Sequence, residues 1–220
     1  MFGSKPQKRK AFGMQRRKTA LLSAYDKNGL EDFANQLVAH EYDLLGSSGT
    51  AKYLGGKGIK VRDVAEMVGE PLLKHKVVTL SRELHAGLLA TEDPEEVAEL
   101  EQHGIPRIDL VYVNLYPLIE EIANLGHTVE SVIEKTDIGG PTMLRSAAKG
   151  RRIVLCRPSE FTIALKFISG KYRDIPGAEN SILCGLASIA EYVISEYCLA
   201  SSKYLGEIAG SKFFNESHLI

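Results

Sequence analysis

Apolar positions change their period along the chain, and the changes mark its elements. TALLSAY (19–25) is a short, nearly continuous apolar run, the pattern of a strand buried on both faces. Asp26, Lys27, Asn28 and Gly29 break it, after which Leu30, Phe33, Leu37 and Val38 recur at helical spacing as far as His40. YDLLGSS reads as a second strand running into Gly49 and Thr50, with a short helix over AKYLGG and a third strand at IKVRDV. Strand, glycine-bearing turn, helix, strand is a βαβ unit, because parallel strands need a crossover.

Residues 65–90 are less regular and predict loops, a short extended piece at KVVTL and a helical turn around HAGLL. PEEVAELEQHG is a helix: Pro94 suits its first turn, acids its positive end, and Gly104 its stop. DLVYVNLYP is the strongest strand, closed by Pro117. Helical patterns follow at LIEEIANLG and TVESVIEKT, then the break DIGGP, a helix TMLRSAAKG and a fifth strand RIVLC. Five apolar strands alternating with helices predict an α/β domain over residues 19–170, a doubly wound parallel sheet with helices on both faces. SGKYRDIPGAEN reads as a polar linker opening the last segment, 171–220, where Ile182, Leu186, Ile189, Val193, Ile194 and Tyr197 predict a long amphipathic C-terminal helix.

Composition adds bounds. With 220 residues, 44% of them hydrophobic, and a net charge of −1, the chain is long enough for its own core and is not a globally basic nucleic-acid binder. Residues 1–18 nevertheless carry seven Lys or Arg and no acid, leaving about −8 on the remainder. That arm is expected to be a disordered, solvated tail, with contact to RNA or an acidic partner as the alternative. Cys156, Cys184 and Cys198 form no metal-ligand motif. Cys184 and Cys198, on one helix face, stand roughly 21 Å apart, beyond disulfide reach. No apolar run approaches the roughly 18 residues of a membrane span and no signal peptide follows the basic start, so a cytoplasmic protein with reduced thiols is expected.

Ligands of such sheets bind beyond the carboxyl ends of the strands, here SAYDKNG, GSSGTAK, NLYP and DIGGPT. Their hydroxyls, glycines and helix starts suit an anion: Ser47, Ser48, Gly49 and Thr50 can wrap a phosphate, with Lys27 as counter-charge. The alternative is that SSGT is an ordinary helix cap. Asp137 and Lys149 can form a proton-transfer pair, or merely cap and decorate the same helix. The seven residues from Thr142 to Ala148 span about 10 Å, so the two share a site only if the glycines fold Asp137 back. Tyr116, fixed by Pro117, is either a donor to a ligand or a half-buried aromatic. The histidines show no HxxxH or HExxH spacing, no metal site is expected, and His85 reads as structural.

Together SAYDKNGLEDFA, LLGSSGTAKYL, VVTLSRELHAGLLA, IDLVYVNLYPL and TDIGGPTMLRSAAKG resemble the inosine monophosphate (IMP) cyclohydrolase domain, across roughly residues 19–200. In that family it is the N-terminal half of a bifunctional purine-biosynthesis enzyme with an AICAR transformylase. The resemblance implies a methylglyoxal-synthase-like fold and closure of 5-formamidoimidazole-4-carboxamide ribonucleotide to IMP with loss of water, without cofactor or metal. It further implies catalytic roles for Asp137, Lys149 and Tyr116. Contacts to the purine-precursor ribonucleotide are implied for Ser23, Lys27, Ser47, Gly49, Thr50, Thr79, Asn114, Ile138 and Gly139.

The match breaks in several places: Tyr25, Ser48 and Asn28 stand where the family usually has serine, glycine and threonine, and where it reads Arg-Val-Lys-Thr-Leu-His-Pro this chain reads Lys76 to Arg82, so Val78 replaces a catalytic-site lysine. Lys76 or Arg82 could supply the missing charge. A catalytically degenerate nucleotide-binding homologue, and a methylglyoxal-synthase-like lyase or ligand sensor, are therefore carried as alternatives. SILCGLASIAEYVISEYC resembles the entry to the transformylase domain and the chain ends soon afterwards, so formyl transfer is not expected of it. A homodimer and a separate transformylase are both compatible partners, whereas a membrane and nucleic acid are not expected.

Overall fold

The computed structural model describes residues 16–73 and 77–210. Five strands, β1 (Lys18–Ala24), β2 (Tyr42–Gly46), β3 (Arg62–Asp63), β4 (Ile108–Asn114) and β5 (Ile153–Leu155), form one parallel sheet in the order β3-β2-β1-β4-β5. α1 (Leu30–Ala39) links β1 to β2, and α2 (Ser48–Gly56) links β2 to β3. α3 (Ala65–Val68), α4 (Arg82–Leu89) and α5 (Pro94–Gln102) lead to β4; α6 (Leu118–Ala123), α7 (Val129–Glu134) and α8 (Gly139–Lys149) lead to β5. α9 (Phe161–Ile168) and the 32-residue α10 (Ala178–Ala209) complete it. The sheet is thus the predicted α/β arrangement, with helices around it and a long C-terminal helix.

The chain winds from β1 toward β3 and then from β4 toward β5. Right-handed crossovers running in opposite directions place their helices on opposite faces. On one face Phe33 of α1 stacks on Phe161 of α9 at 4.0 Å, and both meet Tyr112 of β4 edge-on. On the other, α8 packs against α4 and α10. Both faces being covered explains why the central strands are apolar without alternation: Ala20, Leu21, Leu22, Leu110, Val111 and Tyr112 are fully buried. Each such leucine contributes about 1.5–3 kcal/mol through the surface it removes from water.

Some elements depart from their predicted bounds. The third strand shrinks to two residues, because β2 turns into α2 after Gly46 and leaves it only the Leu45–Arg62 and Gly46–Asp63 pairings. α8 begins at Gly139 rather than at Thr142, so Pro141 lies in the first turn, where its missing N–H breaks no helical bond. α3 and α9 were not anticipated. Of the predicted basic arm, residues 1–15 lie outside the described residues. Its last three belong to the domain: Arg16 pairs with Asp109 at 2.7 Å, Arg17 with Asp43 at 3.2 Å, and Lys18 opens β1.

α10 starts just after Gly177, earlier than the predicted linker allows, and buries Leu186, Ala190, Tyr197 and Tyr204. The expectation that no apolar stretch reaches membrane-span length is corrected here. By length and composition alone α10 could cross a membrane. Its buried residues tie it to the sheet and, as described next, to the cavity.

Candidate functional site

The carboxyl ends of β1, β2 and β4, the first turns of α2 and α8, and parts of α7 and α10 enclose one cavity of about 850 Å³. Strand ends converge there because every crossover leaves the sheet on that edge.

At the β1–β2 side three hydroxyls form a chain. Ser23 Oγ donates to Ser47 Oγ at 3.0 Å, Ser47 Oγ to Thr50 Oγ1 at 3.2 Å, and Thr50 Oγ1 accepts from the Ala24 amide at 3.0 Å. Ser47 occupies the N-cap of α2, and its side chain bonds the neighbouring hydroxyls rather than a backbone amide. The amides of Thr50 and Ala51 close on the Ser47 carbonyl at 2.7 and 2.8 Å; Ser48 and Gly49, ahead of that closed turn, line the cavity. Hydroxyls and the positive start of a helix are the chemistry that receives a phosphate. Lys27 lines the same end, its Nζ held by the carbonyls of Ala24 and Tyr25 at 3.0 and 3.3 Å and 5.9 Å from the Tyr53 ring centre. Asn114 accepts from the amides of Tyr25 and Asp26 at 2.7 and 3.0 Å, so it shapes the β1–α1 turn as well as bordering the cavity.

On the β4 side stand Tyr116 and Asp137. Burial raises the Asp137 carboxyl above the usual carboxylate range, opposed by the amides of Gly140, Tyr116 and Gly139. The Gly140 amide donates to Asp137 Oδ1 at 2.9 Å. Burial first, and then the charge of Asp137, raises the Tyr116 phenol, against the pull of Lys135; the phenol therefore stays protonated and can donate. Tyr25 meets Tyr116 edge-on at 5.4 Å, and Lys135 lies over the Tyr25 ring at 5.3 Å. The two glycines permit close approach: a Cβ on Gly139 would fall 2.3 Å from Thr79 Oγ1, and one on Gly140 2.4 Å from Asp137 Oδ2 and 2.6 Å from Leu115 Cδ2.

Of the predicted residues, Ser23, Lys27, Ser47, Gly49, Thr50, Thr79, Asn114, Tyr116, Asp137, Ile138 and Gly139 all line this one cavity. Lys149 does not, which corrects the expected Asp137–Lys149 pair. It is exposed in the last turn of α8, about 15 Å along the helix from Gly139, because the glycines let Asp137 cap the helix rather than folding it over the helix body. Lys76 lies outside the described residues. Val78, in the family's lysine position, lines the cavity and packs against the core.

Sequence reasoning missed the wall made by Val132, Ile133, Glu134 and Thr136, and that made by Ser201, Tyr204 and Leu205 of α10. The usable signal was the seven-residue spacing of Tyr197 and Tyr204, which continues the buried face of α10. His85 Nδ1 sits 2.9 Å from Ser146 Oγ and burial lowers its pKa, while its Nε2 is buried with no hydrogen-bond partner among the described residues, so the ring is not the fully satisfied histidine expected. Among the described residues no group of three or more His, Cys, Asp or Glu is placed to hold a metal ion.

Comparisons with known proteins agree with this architecture. A solved structure described as the crystal structure of ForH is similar at a TM-score of 0.70 and 30% identity, over 87% of this chain and 100% of that one. Residues 29–142, which run from the start of α1 into α8 and include Asp137, match the MGS-like domain family, and the chain belongs to that family.

Proposed function

We propose that this protein binds a purine-precursor ribonucleotide and closes its second ring, converting 5-formamidoimidazole-4-carboxamide ribonucleotide to IMP. The observation that carries the reading is the placement of the raised Asp137 carboxyl and the neutral Tyr116 phenol in the same cavity as the Ser23–Ser47–Thr50 hydroxyls. The phosphate sits at the hydroxyl end, against the start of α2 and Lys27. The carboxamide nitrogen attacks the formyl carbon. The formyl oxygen leaves as water, taking one hydrogen from the carboxamide nitrogen and one from the formamide nitrogen, so atoms balance without an oxidant. Asp137 moves those protons, Tyr116 donates to the oxygen as charge develops on it, and the cavity holds the one conformer in which the two groups meet. The proposal includes a separate transformylase as the source of the formylated substrate.

Two observations favour a second reading, a binding protein without turnover: Val78 stands on the cavity wall where a lysine is expected, and Lys149 is remote from the cavity. Incubation of the purified chain with the formamido ribonucleotide separates the two. Appearance of IMP absorbance supports ring closure; binding without it leaves the binding reading; absence of binding defeats both.

A further inference from the structure

We infer that the chain pairs with a second copy of itself through the outward face of α10, the two helices lying antiparallel about a two-fold axis at Leu199. The inference does not depend on the ring-closure reading.

The exposed side of a surface helix is ordinarily charged. Of the exposed residues of α10 between Gly185 and Gly206, however, only Glu196 and Lys203 carry charge. Tyr192 and Leu199 stand 58% and 47% exposed on that side. Glu191, the other acid of this stretch, lies on the flank and pairs with Arg145 of α8. Seven residues are close to two turns, so Tyr192, Leu199 and Gly206 form one row along the helix, with Ser188, Ser195 and Ser202 in the row beside it. Small side chains in that second row let another helix approach to about 8 Å. Ser195 Oγ already donates to the Tyr192 carbonyl at 2.8 Å, so covering it leaves no donor stranded.

The face is complementary to itself, which is what selects a second copy as its occupant. In an antiparallel pair symmetric about position 199, each residue meets the one equally far beyond the axis on the other helix. Leu199 meets the partner's Leu199. Tyr192 falls on the partner's Gly206, a position where a Cβ would have nothing within 4 Å, so the ring has room. Glu196 comes within one residue, about 1.5 Å along the axis, of register with the partner's Lys203, and the symmetry forms that pair twice. Neither charge has an ion-pair partner among the described residues of its own chain. Apolar contact, shape and charge thus fix the same axis. A parallel pair would instead set Glu196 against the partner's Glu196, which is repulsive.

The overlap from residue 189 to the end of α10 runs about 30 Å, a contact at the small end of stable interfaces, so a micromolar dimer is expected. On its inward side the same helix carries Tyr197, bonded to the Asp137 turn, and Ser201, which lines the cavity. Pairing therefore braces the helix behind the candidate site.

Sedimentation equilibrium of the full chain over about 1 to 200 µM tests this, with a monomer–dimer equilibrium of Kd about 1–50 µM expected. Leu199→Glu, at an exposed position, is expected to keep the native far-ultraviolet circular dichroism and to stay monomeric throughout. Glu196→Lys alone and Lys203→Glu alone are each expected to weaken the dimer about three- to tenfold, and the two together to restore it to within about twofold. A monomer at every concentration overturns the inference. So does a dimer that survives Leu199→Glu, or one that the double charge exchange fails to recover. Binding of a monomeric chain to phosphatidylcholine or phosphatidylserine vesicles through α10, lost in Leu199→Glu, overturns it as well and gives the face to a membrane.

Discussion

The phenolic oxygen of Tyr197 accepts the Asp137 amide at 2.7 Å and donates to the Lys135 carbonyl at 2.9 Å, so a residue of the C-terminal helix clamps the turn that presents the candidate acid. Tyr197→Phe keeps the ring and deletes both bonds, leaving a partly buried amide unpaired. The expected cost is about 1–3 kcal/mol, read as a lowered urea midpoint with an unchanged m-value. Turnover should fall more than substrate affinity, because the clamp positions Asp137 without touching the phosphate end.

The raised carboxyl of Asp137 has a stability consequence. A carboxyl whose folded pKa exceeds its unfolded value stabilises the fold fully below the ordinary carboxylate range and loses that contribution as pH rises through the raised value. Asp137→Asn still accepts the Gly140 amide but cannot ionise. Its melting temperature relative to the native chain is therefore expected to be higher at pH 8 than at pH 4, while turnover falls about 10²–10⁴-fold. A melting difference independent of pH would contradict the burial argument.

Val78→Lys restores a cation to the cavity wall. If the site is otherwise competent, IMP formation rises about a hundredfold, the order of effect of one electrostatic donor at a developing oxyanion. No change in rate would show that the missing cation is not what limits the reaction.

Gly140→Ala places a methyl group against the Asp137 carboxylate and the Leu115 side chain. Overpacking of this kind costs about 1–3 kcal/mol and displaces the carboxyl from its amide donors. Thermal denaturation and the rate of IMP formation should both report the change, and the loss of rate should exceed that in Asp137→Asn only if the loop itself moves.

Lys149→Ala tests the remote placement of that lysine. Nucleotide affinity and turnover are expected to stay within about twofold, as for an exposed surface substitution. A large loss of turnover would bring Lys149 back into the reaction.

The order of strands and helices was legible in the sequence because burial on two faces forces uninterrupted apolar runs, as in β1 and β4, and because Leu30, Phe33 and Leu37 leave only one side of α1 apolar. Ser23, Ser47, Thr50 and Tyr116 could be grouped too, since they stand at or just beyond strand ends and strand ends share an edge, whereas Asp137 stands between α7 and α8 and was marked by the glycines that follow it. Local pattern could not place Lys149: that depended on whether two glycines fold the chain back or admit Asp137 as a cap, and only contacts with Thr79 and Leu115 decide it.

The sequence by itself therefore determined an α/β chain with its polar chemistry gathered at the strand ends, through periodicity and turn composition, which are local properties. Tertiary structure alone decided that α10 lines the cavity and that Tyr197 grips the Asp137 turn. Those facts join residues some sixty positions apart, and a helical period says which face is apolar but not what that face meets.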